Sequence, residues 1–167
     1  MHQFCCEKDE SVQYFLQNKA IDFEVKNKSR TFFIINEEEF CKGNLIILGY
    51  FSLALKVLTV PDEISNRKRI LLDGLSAKFK GKPILHFPVY LIGQLAKNDM
   101  NKDQIEGNEI MSFAIDIIKE AQKNVGGRVV LIECNDNKKL KKFYSDTGFE
   151  IINKDNEDNQ LQMISYL

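Results

Sequence analysis

Apolar residues recur along this chain at two spacings, near two and near 3.6, and the switches between them mark the elements. Val12, Phe15 and Leu16 share one face of a helix running to about Ala20, with Asp9, Glu10 and Ser11 supplying N-caps and an acidic first turn. The β-branched and aromatic run Thr31 to Ile35 and the longer run Leu45 to Leu58 flank EEEFCKGN. Gly43 and Asn44 suit a turn there, so the two runs predict an antiparallel hairpin. Pro61 and Asp62 suit a helix start. Ile64, Ile70, Leu71, Leu72 and Leu75 predict one or two short helices reaching Phe79, interrupted at Gly74.

The segment ILHFPVYLIGQLAK, Ile84 to Lys97, is strand-like, but Pro88 and Gly93 forbid an uninterrupted central ladder and predict an edge start and a bulge. After the polar stretch Asn98 to Glu106, Gly107 opens a long amphipathic helix. Ile110, Met111, Phe113, Ala114, Ile117, Ile118 and Ala121 recur along it at helical spacing, and Gly126-Gly127 stops it. RVVLIEC follows as a buried strand, parallel to the strand at Ile84 if the helix is a right-handed crossover, which makes a βαβ unit. Asn137 opens a helix through Tyr144 that stops at Gly148, and FEIIN and LQMISYL predict two closing strands. With no repeat, low-complexity tract or linker, the order predicts one mixed-sheet α/β domain over residues 1–167 with antiparallel strands at both ends.

Composition narrows the class without naming a partner. A chain of 167 residues can bury a core without disulfides or metal, and 44% hydrophobic with 28% charged residues and a net charge of -1 excludes a disordered chain or a basic tail protein. Met1 to Glu10 lacks the basic start and apolar run of a secretory signal, and its acids oppose an organelle transit peptide, so cytoplasm is expected. The longest apolar stretch, Leu45 to Val60, is broken by Ser52 and Lys56 and falls short of the roughly 20 residues that span a bilayer, so no membrane segment is expected. Cys5, Cys6, Cys41 and Cys134 form no CxxC pair, and His2 and His86 stand alone, which predicts reduced thiols and no metal site.

A strand running through a glycine-bearing loop into a helix start can bind an anion, because unpaired N–H groups and the helix dipole both face it. Here that loop is QIEGNE, Gln104 to Glu109. A single glycine also fits an ordinary helix start. Basic clusters at Arg67-Lys68-Arg69, at Lys78, Lys80 and Lys82, and at Lys138, Lys139, Lys141 and Lys142 could contact nucleic-acid phosphates, or be solvated faces balanced by neighbouring acids. His86 is read as structural.

Asn137 to Phe149, NKKLKKFYSDTGF, is similar to the GNAT acetyltransferase pattern of Asn, two residues, Ala, two residues, Phe or Leu, Tyr, three residues, Gly-Phe; only Leu140 replaces the usual small residue. Gln104-x-x-Gly107 resembles the same superfamily's pyrophosphate loop, Gln/Arg-x-x-Gly-x-Gly/Ala, and stands between a strand and a helix as that loop does. Over nearly the whole chain the resemblance is to the GNAT toxins of bacterial toxin–antitoxin pairs, carried in order by VQYFLQNKA, LGYFSLAL, FPVYLIGQLAK and LQMISYL.

This resemblance implies a single GNAT-like acyltransferase domain that transfers acetyl from acetyl-CoA to a primary amine, the α-amino group of aminoacyl-tRNA in the toxins, and that is held inactive by a small ribbon-helix-helix antitoxin. The backbone of Leu95, Ala96 and Lys97 would pair with the pantetheine arm. Gln104, Ile105, Glu106, Gly107, Asn108 and Glu109 would hold the pyrophosphate, and Asn137 joins the cofactor-binding set. Tyr144 would donate a proton to the departing thiolate, as a phenol with pKa of about 10 can at neutral pH; its bland reading is a core tyrosine on an amphipathic helix. No cysteine lies in a motif for an acetyl-enzyme, so direct attack is expected.

Four departures stand against the pattern. Glu109 replaces the last small residue of the loop and Glu106 adds a second carboxylate, both opposing a pyrophosphate unless Lys97 and Lys102 offset them. Gln94 stands where the toxins carry Arg, and Gln94 to Gln104 is about two residues longer. No carboxylate lies within Ile84 to Lys97, where many relatives keep a base. The alternatives are a small-molecule or protein amine acceptor, or a cofactor-free relative acting as a binding module. The α-amine is favoured because it is neutral in roughly one molecule in ten at pH 7, against roughly one in 2,500 for a lysine side chain. Oligomeric state is not fixed by the sequence, and a homodimer is one expectation.

Overall fold

Short polar side chains start most of the helices in the computed structural model, which describes residues 4–155 and 160–167; His2 lies outside the described residues. Asp9 accepts from Ser11 N–H to open α1 (Glu10–Asn18). At Lys19 the backbone leaves the helical region (φ -122°, ψ -30°), and α2 (Ala20–Val25) follows as a separate helix. The single helix to Ala20 expected from the apolar spacing is therefore two. β1 (Arg30–Ile35) and β2 (Ile47–Thr59) pair antiparallel from Arg30↔Leu53 to Ile35↔Ile47, with an irregularity at Ile34/Ile35.

Their connection is more than a turn. Asn36 caps α3 (Glu37–Cys41) by accepting from Glu39 N–H, and three glutamates in its first turn complement the helix dipole.

Ser65 caps α4 (Asn66–Asp73), and Gly74 ends it in the left-handed region at φ 88°. The chain does not continue as helix to Phe79, as the apolar spacing predicts. Lys80 and Gly81 both take positive φ (49° and 81°), the two-residue turn that joins β3 (Lys78–Phe79) to β4 (Lys82–Pro83) as a small hairpin. Then come β5 (His86–Lys97), a 3-10 turn at Asp99–Asn101, α5 (Gly107–Val125), β6 (Val129–Asn135), α6 (Lys138–Asp146), β7 (Glu150–Asp155) and β8 (Gln160–Tyr166).

Six strands form one mixed sheet in the order β1-β2-β5-β6-β8-β7, with the two-residue hairpin apart from it. β5 and β6 are neighbours joined through α5, so the predicted βαβ unit is present. β8 pairs antiparallel with β6 from Val129↔Tyr166 to Asn135↔Gln160, and with β7.

The contacts group into two compact units, Met1–Ala54 with Ile92–Ile117, and Leu55–Leu91 with Ile118–Leu167. In the first, Phe4, Leu16, Ala20, Ile47, Tyr50 and Ala96 form a buried cluster in which the Tyr50 hydroxyl donates to Val12 O at 2.5 Å. Burial of that hydroxyl pushes its pKa well up, so it stays a donor. In the second, Leu58, Val60, Leu72, Phe87, Val89, Val129, Leu131 and Ile164 form the core. There Gly127 (φ 112°) leaves no space for a side chain: a Cβ would lie 2.5 Å from the Tyr90 ring, whose hydroxyl donates to Gly126 O.

Candidate functional site

In the first unit, β5 runs out through Leu95, Ala96 and Lys97 into a loop fastened at its first residue. Asn98 is buried. Its amide nitrogen donates to Ile47 O (2.7 Å), its side-chain oxygen accepts from Cys5 N–H (3.1 Å) and Met100 N–H (3.2 Å), and its backbone N–H donates to Leu48 O (2.8 Å). One side chain thus ties the N-terminal segment, β2 and the 3-10 turn together. Asp99 extends the tie, donating its N–H to Cys5 O (2.8 Å) and accepting from Glu7 N–H (2.7 Å). The approach of β2 to this strand is close: a Cβ at Gly49 would lie 3.0 Å from Ala96 O and 2.6 Å from Ile110 Cδ1.

The loop residues Gln104 to Glu109 divide between fastening and exposure. The Gln104 side chain accepts from the Asn36 amide at 2.9 Å and donates to Asn101 Oδ1 at 3.2 Å. Ile105 is buried, Gly107 is half-buried, and Glu106, Asn108 and Glu109 are exposed. Glu109 turns back so that its carboxylate accepts from Glu106 N–H at 2.7 Å, the reciprocal half of a capping box at the start of α5. The second acid, Glu106, lies 3.7 Å from the Lys97 ammonium. The two carboxylates that oppose an anion in sequence thus have local partners: one takes an amide of the helix start, the other faces a lysine.

The second unit carries Asn137 and Tyr144. Asn137 caps α6, accepting from Lys139 N–H at 2.8 Å, so its place in the motif has a helix-starting role. Tyr144 is buried, with its ring edge-on to Phe143 (5.1 Å between centroids) and Phe149 (6.2 Å). Its carbonyl accepts from Phe149 N–H at 2.9 Å and from the Thr147 hydroxyl at 2.9 Å, which closes the helix before Gly148. The tyrosine and the Gly-Phe of the motif therefore form one folded turn.

The basic clusters are partly balanced. Lys141 (2.7 Å) and Lys154 (3.1 Å) both reach Asp136, and together they hold its carboxyl below the usual aspartate range. Lys142 pairs with Asp146 (2.7 Å), and Lys68 pairs with Glu150 and lies over the Tyr166 ring. His86 faces the Thr59 hydroxyl at 3.1 Å. Burial pushes the thiols of Cys6 and Cys134 up.

A polar row across the sheet contains none of the candidate site residues. The Lys56 ammonium on β2 donates to Glu133 Oε2 on β6 at 2.5 Å, Gln162 on β8 donates to Glu133 Oε1 at 2.9 Å, and Asn153 on β7 donates to Gln162 at 3.2 Å. Its only signal in the sequence is a lone charge inside the apolar run of β6. Among the described residues no group of three or more His, Cys, Asp or Glu side chains is placed to hold a metal, and no helix is long and apolar enough to cross a membrane.

No protein-family model matches the sequence, and no curated protein matches it. Solved structures do match. AtaT complexed with acetyl-methionyl-tRNAfMet is 21% identical, with a TM-score of 0.71 over 96% of this chain and 85% of that one. A Tyr-to-Phe mutant of the AtaT toxin, bound to the C-terminus of the antitoxin AtaR and acetyl-CoA, is 19% identical, with a TM-score of 0.67 over 98% and 82%. A Tyr-to-Phe mutant of KacT is 21% identical, with a TM-score of 0.67 over 95% and 84%. The chain thus has the fold of the AtaT and KacT toxins.

Proposed function

We infer that the protein is an acetyl-CoA-dependent N-acetyltransferase acting in the cytoplasm, that its acceptor is the α-amino group of an aminoacyl-tRNA, and that a small antitoxin is its partner. The observation that carries this reading is the match over nearly the whole chain to AtaT in complex with acetyl-methionyl-tRNAfMet, together with the NKKLKKFYSDTGF motif on α6. The antitoxin follows from the matched complexes of AtaT with AtaR and of KacTA with DNA.

The chain's own geometry supports a place for the donor. Val60 N–H donates to Leu85 O and Asn98 N–H donates to Leu48 O, so between these points β5 spends one residue more than β2, the count of a bulge. A bulge in such a strand frees backbone groups, and the motif resemblance assigns those of Leu95, Ala96 and Lys97 to a pantetheine arm. The start of α5 offers amides to a pyrophosphate, one of which already carries the Glu109 carboxylate, so an anion binding there displaces or joins that group. Acetyl-CoA, when bound, supplies an acetyl thioester. Tyr144 holds a proton at its hydroxyl for the departing sulfur, and the aromatic contacts of Phe143 and Phe149 fix its ring.

Calorimetric titration with acetyl-CoA, followed by transfer to a panel of aminoacyl-tRNAs, tests the reading. Tyr144→Phe should lower turnover about 100-fold or more while leaving acetyl-CoA affinity within about twofold. Unchanged turnover removes Tyr144 from the chemistry. A wild-type protein that binds no acetyl-CoA at millimolar concentration would instead be a cofactor-free binding module, the reading that the self-capped Glu106–Glu109 loop favours.

A further inference from the structure

A carboxylate in a buried central strand calls for an account. In β6, Val129, Val130, Leu131, Ile132 and Cys134 are all buried, and Glu133 alone carries a charge among them. The Lys56–Glu133 pair is open to solvent on the lysine side, and exposed ion pairs contribute only about 0–1 kcal/mol, so stability alone gives little reason to keep it. Nor is the pair within easy reach: β5 lies between β2 and β6, so Lys56 spans about 10 Å of sheet, two strand spacings, to meet it. Glu133 is held from both sides, by Lys56 on one oxygen and by Gln162, itself fixed by Asn153, on the other. With one donor on each oxygen, two of roughly four acceptor positions are used. The side chain keeps 19% of its surface open and Lys56 keeps 40%, so the remaining positions can be reached from solvent.

Its place in the sheet agrees with a ligand-facing role. Ligands of open α/β sheets gather at the carboxyl ends of the strands. Glu133 lies two residues before the end of β6 at Asn135, and only Asp136 and Asn137 separate β6 from the helix that carries Tyr144. β5 has no carboxylate from Ile84 to Lys97; the neighbouring strand supplies one.

We propose that Glu133 receives the proton of the acceptor's α-ammonium group, with Lys56 and Gln162 as positioning residues that hold its two oxygens. The proposal rests on the acetyltransferase reading above. An N–H bond of the ammonium breaks as an O–H bond forms on Glu133. The freed nitrogen lone pair forms the C–N bond to the acetyl carbon while the C–S bond breaks. Tyr144 gives its proton to the sulfur and regains one from the new amide nitrogen, and Glu133 releases its proton to solvent. A carboxylate is a weak base, so it serves an amine that gives up its proton readily. An α-ammonium with pKa near 7.7 to 8.0 does so about 300-fold more readily than a lysine with pKa near 10.4. The acceptor class selected is therefore the α-amine.

The test compares wild type with Glu133→Gln in acetyl transfer to aminoacyl-tRNA from pH 6 to 9, alongside acetyl-CoA titration and thermal melting. Glu133→Gln should keep acetyl-CoA affinity within about twofold and lose roughly 100-fold or more in kcat/KM for the acceptor at pH 6. The loss should shrink as pH rises past the amine's own pKa, because solvent then delivers the neutral amine. A purely structural role gives a loss of equal size at every pH, and that result, or a kcat/KM within threefold of wild type, overturns the proposal. If the glutamine variant melts below the assay temperature, Glu133→Asp keeps the charge but withdraws it, and should show the same pH-dependent loss at smaller size; a loss independent of pH again overturns it. A wild type that acetylates nothing refutes the acetyltransferase reading itself, and this proposal falls with it.

Discussion

Gly49→Ala is the sharpest probe of how β2 meets β5 and α5. A methyl group there would sit 2.6 Å from Ile110 Cδ1 and 3.0 Å from Ala96 O, where carbon atoms normally approach to about 3.5–4.0 Å. Ile110 is fully buried and Ala96 O is backbone, so neither neighbour can yield without moving α5 or β5. Overpacking of this kind costs about 1–3 kcal/mol, offset by about 0.4–1 kcal/mol because alanine restricts the unfolded chain. The net loss, about 1–2 kcal/mol, corresponds to a fall in Tm of roughly 3–8 °C for a chain of this size. Acetyl-CoA affinity should fall with it, since Ala96 lies in the segment proposed for the pantetheine arm and Ile110 directly follows the loop proposed for the pyrophosphate. Gly43→Ala is the control: its Cβ meets nothing within 4 Å, but φ is 88°, so it should cost stability through backbone strain alone and leave acetyl-CoA binding intact. A Gly49→Ala protein with the wild-type Tm and affinity would refute this packing.

Further expectations concern the loop and its surroundings. Glu109→Gln keeps an acceptor for Glu106 N–H but removes a negative charge from a helix start; acetyl-CoA should bind about two- to fivefold tighter at low ionic strength, a gain lost in high salt, and equal or weaker binding by calorimetry would show that the pyrophosphate lies elsewhere. Asn98→Ala leaves Ile47 O and Cys5 N–H without their partner and should cost about 2–4 kcal/mol in urea unfolding; a loss below 1 kcal/mol would contradict the bracket. Asp136 should titrate below an ordinary aspartate because Lys141, then Lys154, donate to it. Its folded pKa is depressed, so its contribution is complete above the unfolded value of 3.8 and fades as pH falls through the folded one. A carboxyl NMR midpoint at or above 3.8 would contradict both contacts.

The long elements were legible because each has a strong period and a hard stop. The apolar face of α5 ends at two glycines, β6 is a continuous apolar run, and α6 has Asn137 at one end and Gly148 at the other. What escaped rests on short range or on long range. α3 is five residues long, too short for a period to show, and its start depends on one Asn36 contact. The β3–β4 hairpin turns on Lys80-Gly81, and lysine is not among the residues that announce a turn with two positive φ values. Asn98 looked like the first residue of a polar loop; its partners Cys5 and Ile47 are 93 and 51 residues away. Glu133 shows locally only as a lone charge in an apolar run; its partners Lys56 and Gln162 are 77 and 29 residues distant. The motif residues themselves were placed by resemblance, and the cap made by Glu109 gives one of the unexpected acids a local structural role.

The bonds that fasten Cys5 and Glu7 to Asn98 and Asp99 also set a timetable for biosynthesis. At about 5–20 residues per second, the ribosome needs roughly 5–18 s to make the 92 residues between Glu7 and Asp99. Until then Phe4 and Leu16, which end in the core, lack the β5 side of their cluster, and Ala96 has not been made. The nascent chain therefore carries an unsealed apolar segment for most of its synthesis, and a chaperone that shields it, or slow codons placed after Asp99, should raise the yield of folded protein more than any change near the C-terminus.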